Sequence, residues 1–160
     1  MSMTNTEAFK TAMRRMAGAV CIVATEVDGK RAGMAATSVV SLSADPPSLL
    51  VCVNKSASVH PLLHACGRFS VSVLSREQQD LCADFGGKYD QEERFNRSRW
   101  LSGPFQLPHS PGAQATFFCK IATSSSFATH TVFIAEVFES HFVEQVDPLV
   151  YLNGQCRALA

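Results

Sequence analysis

Three features of the 160-residue sequence predict a mainly β fold, an antiparallel barrel carrying a few peripheral helices. Roughly six or seven segments are rich in β-branched and aromatic residues, helical periodicity is confined to short stretches, and one long hairpin lies near the start. A parallel doubly wound sheet would require strands and helices in stricter alternation.

Each element has its own signal. From Thr6 to Ala17 the residues Ala8, Phe9, Ala12, Met13, Met16 and Ala17 recur at helical spacing, with Asn5 or Thr6 as cap and Gly18 as stop, so the chain opens on an amphipathic helix. Val20 to Val27 is β-rich, Asp28-Gly29 supplies a tight turn, and Arg31 to Ser43 continues extended until Asp45-Pro46-Pro47 breaks the pattern. Ser48 to Val53 is the next strand. The run Asn54-Lys55-Ser56-Ala57-Ser58 then offers capping side chains to a short helix from Val59 to Cys66, closed by Gly67. Strand Arg68 to Leu74 follows. Ser75 and Gln78 form a capping-box pattern opening a helix through Phe85 that Gly86-Gly87 ends, with a further helical piece at Glu92 to Phe95. Asn96 to Ala113, with three prolines and two glycines, reads as a loop that either folds over something or hangs in solvent, and Trp100, with Phe95 and Phe105, either anchors it or packs in the core. Strands Gln114 to Thr123, His130 to Val143 and Leu149 to Asn153 complete the chain, with the polar Thr123-Ser124-Ser125-Ser126 stretch leading into a loop before His130. The run Thr131-Val132-Phe133-Ile134-Ala135 is apolar on both faces, which calls for a cover over its outer side, most economically a second copy of the chain.

Composition narrows the function. Fourteen acids balance fourteen bases, so no field gathers polyanions and nucleic acid is not an expected partner. One domain over residues 1–160 buries enough surface to need neither metal nor disulfide. The six cysteines (Cys21, Cys52, Cys66, Cys82, Cys119 and Cys156) form no CxxC pair and are expected to be reduced core residues. No secretory leader pattern and no stretch of roughly 20 apolar residues is seen, so a cytoplasmic location without membrane partner is expected.

The common nucleotide signatures, GxGxxG after a strand, GxxxxGKS and GxSxG, are absent. Two segments offer another way to hold a nucleotide. Ala35-Ala36-Thr37-Ser38 gives small residues for close backbone approach, and Asn54 to Ser58 combines hydroxyls, a lysine and a helix start suited to phosphate; plain capping and turn chemistry is the alternative. His60 and His64, four apart, lack a third ligand at metal spacing, and no metal is expected. His130 opens an apolar strand after a polar stretch, where it is either a functional side chain or a strand-end surface residue. His109 and His141 carry no signal, and Glu92-Glu93 reads as a solvated face.

In order along the chain, several stretches resemble the short-chain flavin reductases, which supply reduced flavin to two-component monooxygenases. They are FKTAMRRMAGAVCIVAT (Phe9 to Thr25), Gly33 to Ser38 with Val40 to Ser43, Asp45-Pro46-Pro47, Ser48 to Ser56, His60-Pro61-Leu62-Leu63, GRFSVSVLS (Gly67 to Ser75), Gln79-Asp80-Leu81, Phe85, Glu92 to Phe95, His130 to Val137 and Pro148 to Tyr151. The resemblance implies an FMN-binding split barrel of Greek-key type, a homodimer, and FMN or FAD bound at its edge with NADH or NADPH as donor. By the same resemblance Ala36, Thr37, Ser38 and Phe85 lie on the flavin side, Asn54, Lys55, Ser56 and Ser58 hold phosphate, and His130 serves the nicotinamide. The chain departs from the family at Ala128-Thr129-His130, where Gly-Asp-His is usual, and the change removes an acid that could partner the imidazole. A flavin-binding electron carrier or a reductase with another donor, and a non-enzymatic interaction module, are the rival functions.

Overall fold

The computed structural model describes residues 2–159. Helix α1 (Asn5–Met13) starts on a capping box in which Thr4 Oγ1 accepts from the Glu7 amide and the Glu7 carboxylate accepts from the Thr4 amide. Strands β1 (Gly18–Ala19), β2 (Cys21–Val27), β3 (Lys30–Ala36), β4 (Val39–Ala44) and β5 (Pro47–Asn54) follow, then α2 (Val59–Cys66) and β6 (Arg68–Val73). A 3₁₀ turn leads into α3 (Gln79–Ala83), a wide turn over Asp84–Lys88 and α4 (Gln91–Asn96). The short strands β7 (Leu101–Ser102) and β8 (Pro108–His109) lie within the loop region, and β9 (Ala115–Phe127), β10 (His130–Phe142), β11 (Leu149–Leu152) and β12 (Gln155–Ala158) finish the chain.

The strands pair antiparallel in a seven-stranded sheet of order β3-β2-β6-β9-β10-β5-β4 and a smaller sheet of order β1-β11-β12. Backbone bonds Val20 N to Leu149 O, Leu149 N to Leu74 O and Leu74 N to Val20 O stitch the two together. The result is an antiparallel split barrel with peripheral helices, the fold class the sequence predicts. In the β2–β3 hairpin Asp28 (φ 52°) and Gly29 (φ 77°) both take the left-handed conformation that a tight two-residue turn demands.

Three parts differ from the sequence reading. The extended segment Arg31 to Ser43 is two strands on opposite edges of the sheet, because the chain bends at Thr37-Ser38, where Ser38 Oγ donates to Cys52 O of β5 at 2.8 Å. The polar run Thr123 to Ser126 continues β9 in register with β10, Ser124 opposite Phe133, since side chains on an exposed ladder need not be apolar. Strand β12 was not expected, although Asn153 (φ 53°) and Gly154 (φ 78°) form the same kind of turn as Asp28-Gly29.

Strand β2 is buried on both faces. Cys21 and Val23 point into a core with Val51, Val53, Phe69, Val71 and Phe133, which Val59 and Leu63 of α2 close. Ile22 and Ala24 point the other way, into a second cluster of Leu74, Leu81, Phe85, Phe95 and Leu149 supplied largely by the α3 to α4 region and β11. By contrast α1 buries none of its residues, and Phe9, Met13 and Met16 stand exposed.

The cysteine expectation holds only in part. Cys21, Cys52, Cys66 and Cys119 are free, and burial pushes the Cys21 and Cys119 thiols up to about 12, which leaves them unreactive. Cys82 of α3 and Cys156 of β12 are instead joined as a disulfide. The packing of α3 against a strand that the sequence did not reveal brings together residues 74 positions apart.

Two stability predictions follow from this packing. A Cβ on Gly33 would lie 2.9 Å from Phe85 Cε1 and 3.2 Å from Phe95 Cζ, both in buried rings. Gly33→Ala is therefore expected to destabilise the fold by about 1 to 3 kcal/mol, read from the urea midpoint; a midpoint equal to wild type would show that the rings can yield. His60 of α2 shares a 2.8 Å hydrogen bond with Thr131 Oγ1, and burial first, then the charges of His64 and Lys55, holds its pKa below the ordinary 6.5. The unfolded chain then binds the proton more readily, so this residue's contribution to stability is lost as pH falls through and below 6.5. Melting temperatures measured from roughly pH 7.5 to 5.5 should fall less steeply for His60→Gln than for wild type. Parallel curves would contradict the assignment.

Candidate active site

Two adjoining clefts open beside β3, each of about 380 Å³. The first lies between the β5–α2 connection and the Phe85 to Arg94 segment, with Ser56, Ser58, Gln91 and Arg94 as its polar lining and Met34, Ala35 and Phe85 as its apolar lining. The second shares Ala35 and Gly86 with the first and continues along Ala36 and Thr37 to Cys82 and Tyr151. Small residues on β3 and Gly86-Gly87 opposite keep this continuous slot open to a flat ring system.

Of the residues expected at a flavin site, Ser56, Ser58 and Phe85 meet in the first cleft, and Ala36 and Thr37 in the second. Phe85 lies almost wholly in the second core and forms a floor. Ser38 lines neither cleft, because its hydroxyl bonds Cys52 O. Asn54 lines neither cleft and shapes the turn, its Oδ1 accepting from the Ser56 amide at 2.9 Å and the Ser56 hydroxyl at 2.8 Å. Lys55 is also absent from the lining. Its ammonium donates to Ala128 O at 2.8 Å and its amide donates to Thr129 O at 2.9 Å.

These bonds tie the end of β5 to the β9–β10 turn and hold His130 opposite Asn54. His130 is exposed, and its Nδ1 lies 2.8 Å from Thr129 Oγ1. The Thr hydroxyl thus partners the imidazole in place of the acid that this chain lacks. In the tautomer that carries the ring proton on Nε2, the hydroxyl donates to Nδ1 and Nε2 can donate outward. Ala128 carries φ 48°, a left-handed conformation that favours glycine, so the usual Gly of the triplet has a backbone reason that this chain meets with Ala.

The sequence reading missed Gln91 and Arg94. Gln91 sits at the first turn of α4, and Arg94 is buried, donating to Tyr89 O and Gly33 O, each at 2.8 Å. Burial lowers the Arg94 pKa, yet a guanidinium remains cationic at neutral pH, so the cleft holds a fixed positive charge. The available signal was Arg94-Phe95 together: an arginine beside an apolar residue on a short helix is a candidate for partial burial.

The chain is similar to known proteins along nearly its whole length. Residues 13–160 match the family described as flavin reductase like domain. The FMN reductase (NADH) RutF of Stutzerimonas stutzeri is 40% identical over 154 residues, covering 96% of this chain and 88% of that protein. The reductase component of the FADH(2)-dependent resorcinol hydroxylase of a Rhizobium species is 37% identical, covering 92% of this chain and 83% of that protein. Among solved structures, the NADH:FAD oxidoreductase of Streptomyces globisporus, in complex with NAD and FAD fragments, superposes with a TM-score of 0.90 at 27% identity, covering 98% of this chain and 93% of that one. With the match running through nearly all of its length and the split barrel in place around the slot, the chain belongs to the flavin reductase like domain family.

Proposed function

We propose that this chain is a single-domain flavin reductase that passes hydride from NADH or NADPH to FMN or FAD and supplies the reduced flavin to a partner monooxygenase. The observation that carries the reading is the first cleft, where two hydroxyls, Ser56 and Ser58, and the buried Arg94 cation converge beside an open slot of small residues. Hydroxyls and a guanidinium suit a phosphate, and the adjoining cleft along Ala36 and Thr37 has the flat, small-residue lining that an isoalloxazine needs. A bound flavin would accept hydride at N5 from nicotinamide C4, so the protein has to align two rings and exclude water rather than supply an acid or base. His130 aligns the nicotinamide through Nε2, with Thr129 holding the ring and Lys55 holding the turn beneath it. Relatives named for NADH and FMN, and for service to a hydroxylase, support donor, acceptor and partner class.

A homodimer completes the assembly. Its support is apolar surface the single chain leaves open: Phe9, Met13 and Met16 on or beside α1, Val40 and Leu42 on β4, and Phe142 at the end of β10. No helix among the described residues is long and apolar enough to cross a membrane. A reductase drawing on NADH works where that donor is kept, in the cytoplasm.

Anaerobic mixing of the protein, FMN or FAD, and NADH or NADPH should bleach the flavin band. A flavin that binds but is bleached by neither nicotinamide would overturn the reductase reading in favour of an electron carrier. In stopped flow, His130→Ala should slow flavin reduction about two-fold to ten-fold, the loss of one neutral hydrogen bond, with flavin affinity nearly intact. An unaltered rate and donor affinity would return His130 to a surface residue. Sedimentation should show a dimer at micromolar concentration, and a flavin-loaded monomer would contradict it.

A further inference from the structure

We propose that Gln91 is a positioning residue for the flavin phosphate, acting through the Ser58 hydroxyl; the inference rests on the first cleft being the phosphate site. Strand β3 is an edge strand, so Gly33 has no neighbouring strand to take its outward N–H and C=O. The Gln91 carboxamide takes both: Oε1 accepts from Gly33 N at 2.9 Å and Nε2 donates to Gly33 O at 3.1 Å. The second Nε2 proton goes to Ser58 Oγ at 2.6 Å. Rotating the amide would set its oxygen against the Gly33 carbonyl, so only one orientation satisfies all three contacts.

Ser58 gives an independent reason to see this as more than packing. It occupies the N-cap position of α2, where a serine ordinarily caps with its own oxygen, yet its side chain makes no capping bond. Its oxygen accepts from Gln91 instead, and among the described residues nothing accepts its proton. The Ser58 backbone is helical (φ −63°, ψ −21°) rather than extended, so its hydroxyl is not committed to the helix amides, and with its oxygen accepting from Gln91 its proton is left for an acceptor in the cleft, which both residues line beside Arg94. The acceptor that fits a hydroxyl donor next to a guanidinium is a phosphate oxygen. Arg94 donates to the same Gly33 carbonyl at 2.8 Å, so the clamp and the cation share one anchor and are held in fixed relation.

The test compares FMN with riboflavin, which carries the same ring without phosphate, by fluorescence titration of the intact protein. Gln91→Leu should weaken FMN binding about two-fold to ten-fold while leaving riboflavin within about two-fold, because a positioned hydrogen bond to phosphate is lost and the ring contacts remain. Ser58→Ala should reduce the same preference for FMN, and adding Gln91→Leu to it should reduce the preference no further. Gln91→Glu, nearly identical in shape, should impair FMN more than Gln91→Leu, since a carboxylate can donate to neither Gly33 O nor Ser58 and repels phosphate. Equal weakening of both ligands by Gln91→Leu would reduce Gln91 to a structural clamp and overturn the proposal. If Ser58→Ala lowers the FMN preference and Gln91→Leu does not, the inference fails while the phosphate site stands. Should Ser56→Ala and Ser58→Ala both leave the preference untouched, the site reading itself fails and the inference with it.

Discussion

The structure depends on β2 being buried on both faces. A one-residue slip turns every side chain of a strand to its opposite face, and on β2 both faces are buried, so a slip would exchange Cys21 and Val23 with Ile22 and Ala24 between two differently shaped cores. Whatever pairs with β2 inherits that precision. Strand β3 is its hairpin partner, so Met34 to Ala36, which line the slot, are placed by a strand buried on both faces. The outer core also carries Phe85 and Phe95, whose rings approach Gly33 closely, so the opposite wall is set by the same packing.

Much of this was legible from residue pattern. The Asp28-Gly29 hairpin, the Ser75 to Gln78 capping box and the Gly67 stop after α2 are local signals, each satisfied by neighbours a few residues away, and each appears where the pattern puts it. The bend at Thr37-Ser38 was illegible because its cause, Cys52 O, lies 14 residues further on. The Cys82–Cys156 bond depends on a strand whose only local mark is Asn153-Gly154.

The site divides in the same way. Hydroxyls and small residues near a helix start were visible as a composition, and Ser56, Ser58, Ala36 and Thr37 do line the slot. A side chain's partner is not visible. Lys55 looked like a phosphate ligand from its company, yet two carbonyls of the β9–β10 turn claim it, and it serves the His130 segment. Arg94, next to the Glu92-Glu93 pair read as a solvated face, had no role assigned to it and is the buried cation. Charge type can be read from sequence; which pole of the fold a charge serves is decided by contacts across 60 residues or more, such as Arg94 to Gly33, 61 apart.

The open side of β3 has a consequence for how the molecule meets its neighbours. An uncovered edge strand is a template for another chain, and proteins commonly blunt such edges with charge, proline or a bulge. Here the Gln91 carboxamide imitates one peptide unit of an eighth strand at Gly33, filling donor and acceptor together. An incoming extended segment therefore finds no run of free backbone groups to zip along. The barrel keeps a glycine-bearing edge, which the packing of the Phe85 and Phe95 rings requires, without becoming a nucleus for intermolecular sheet growth.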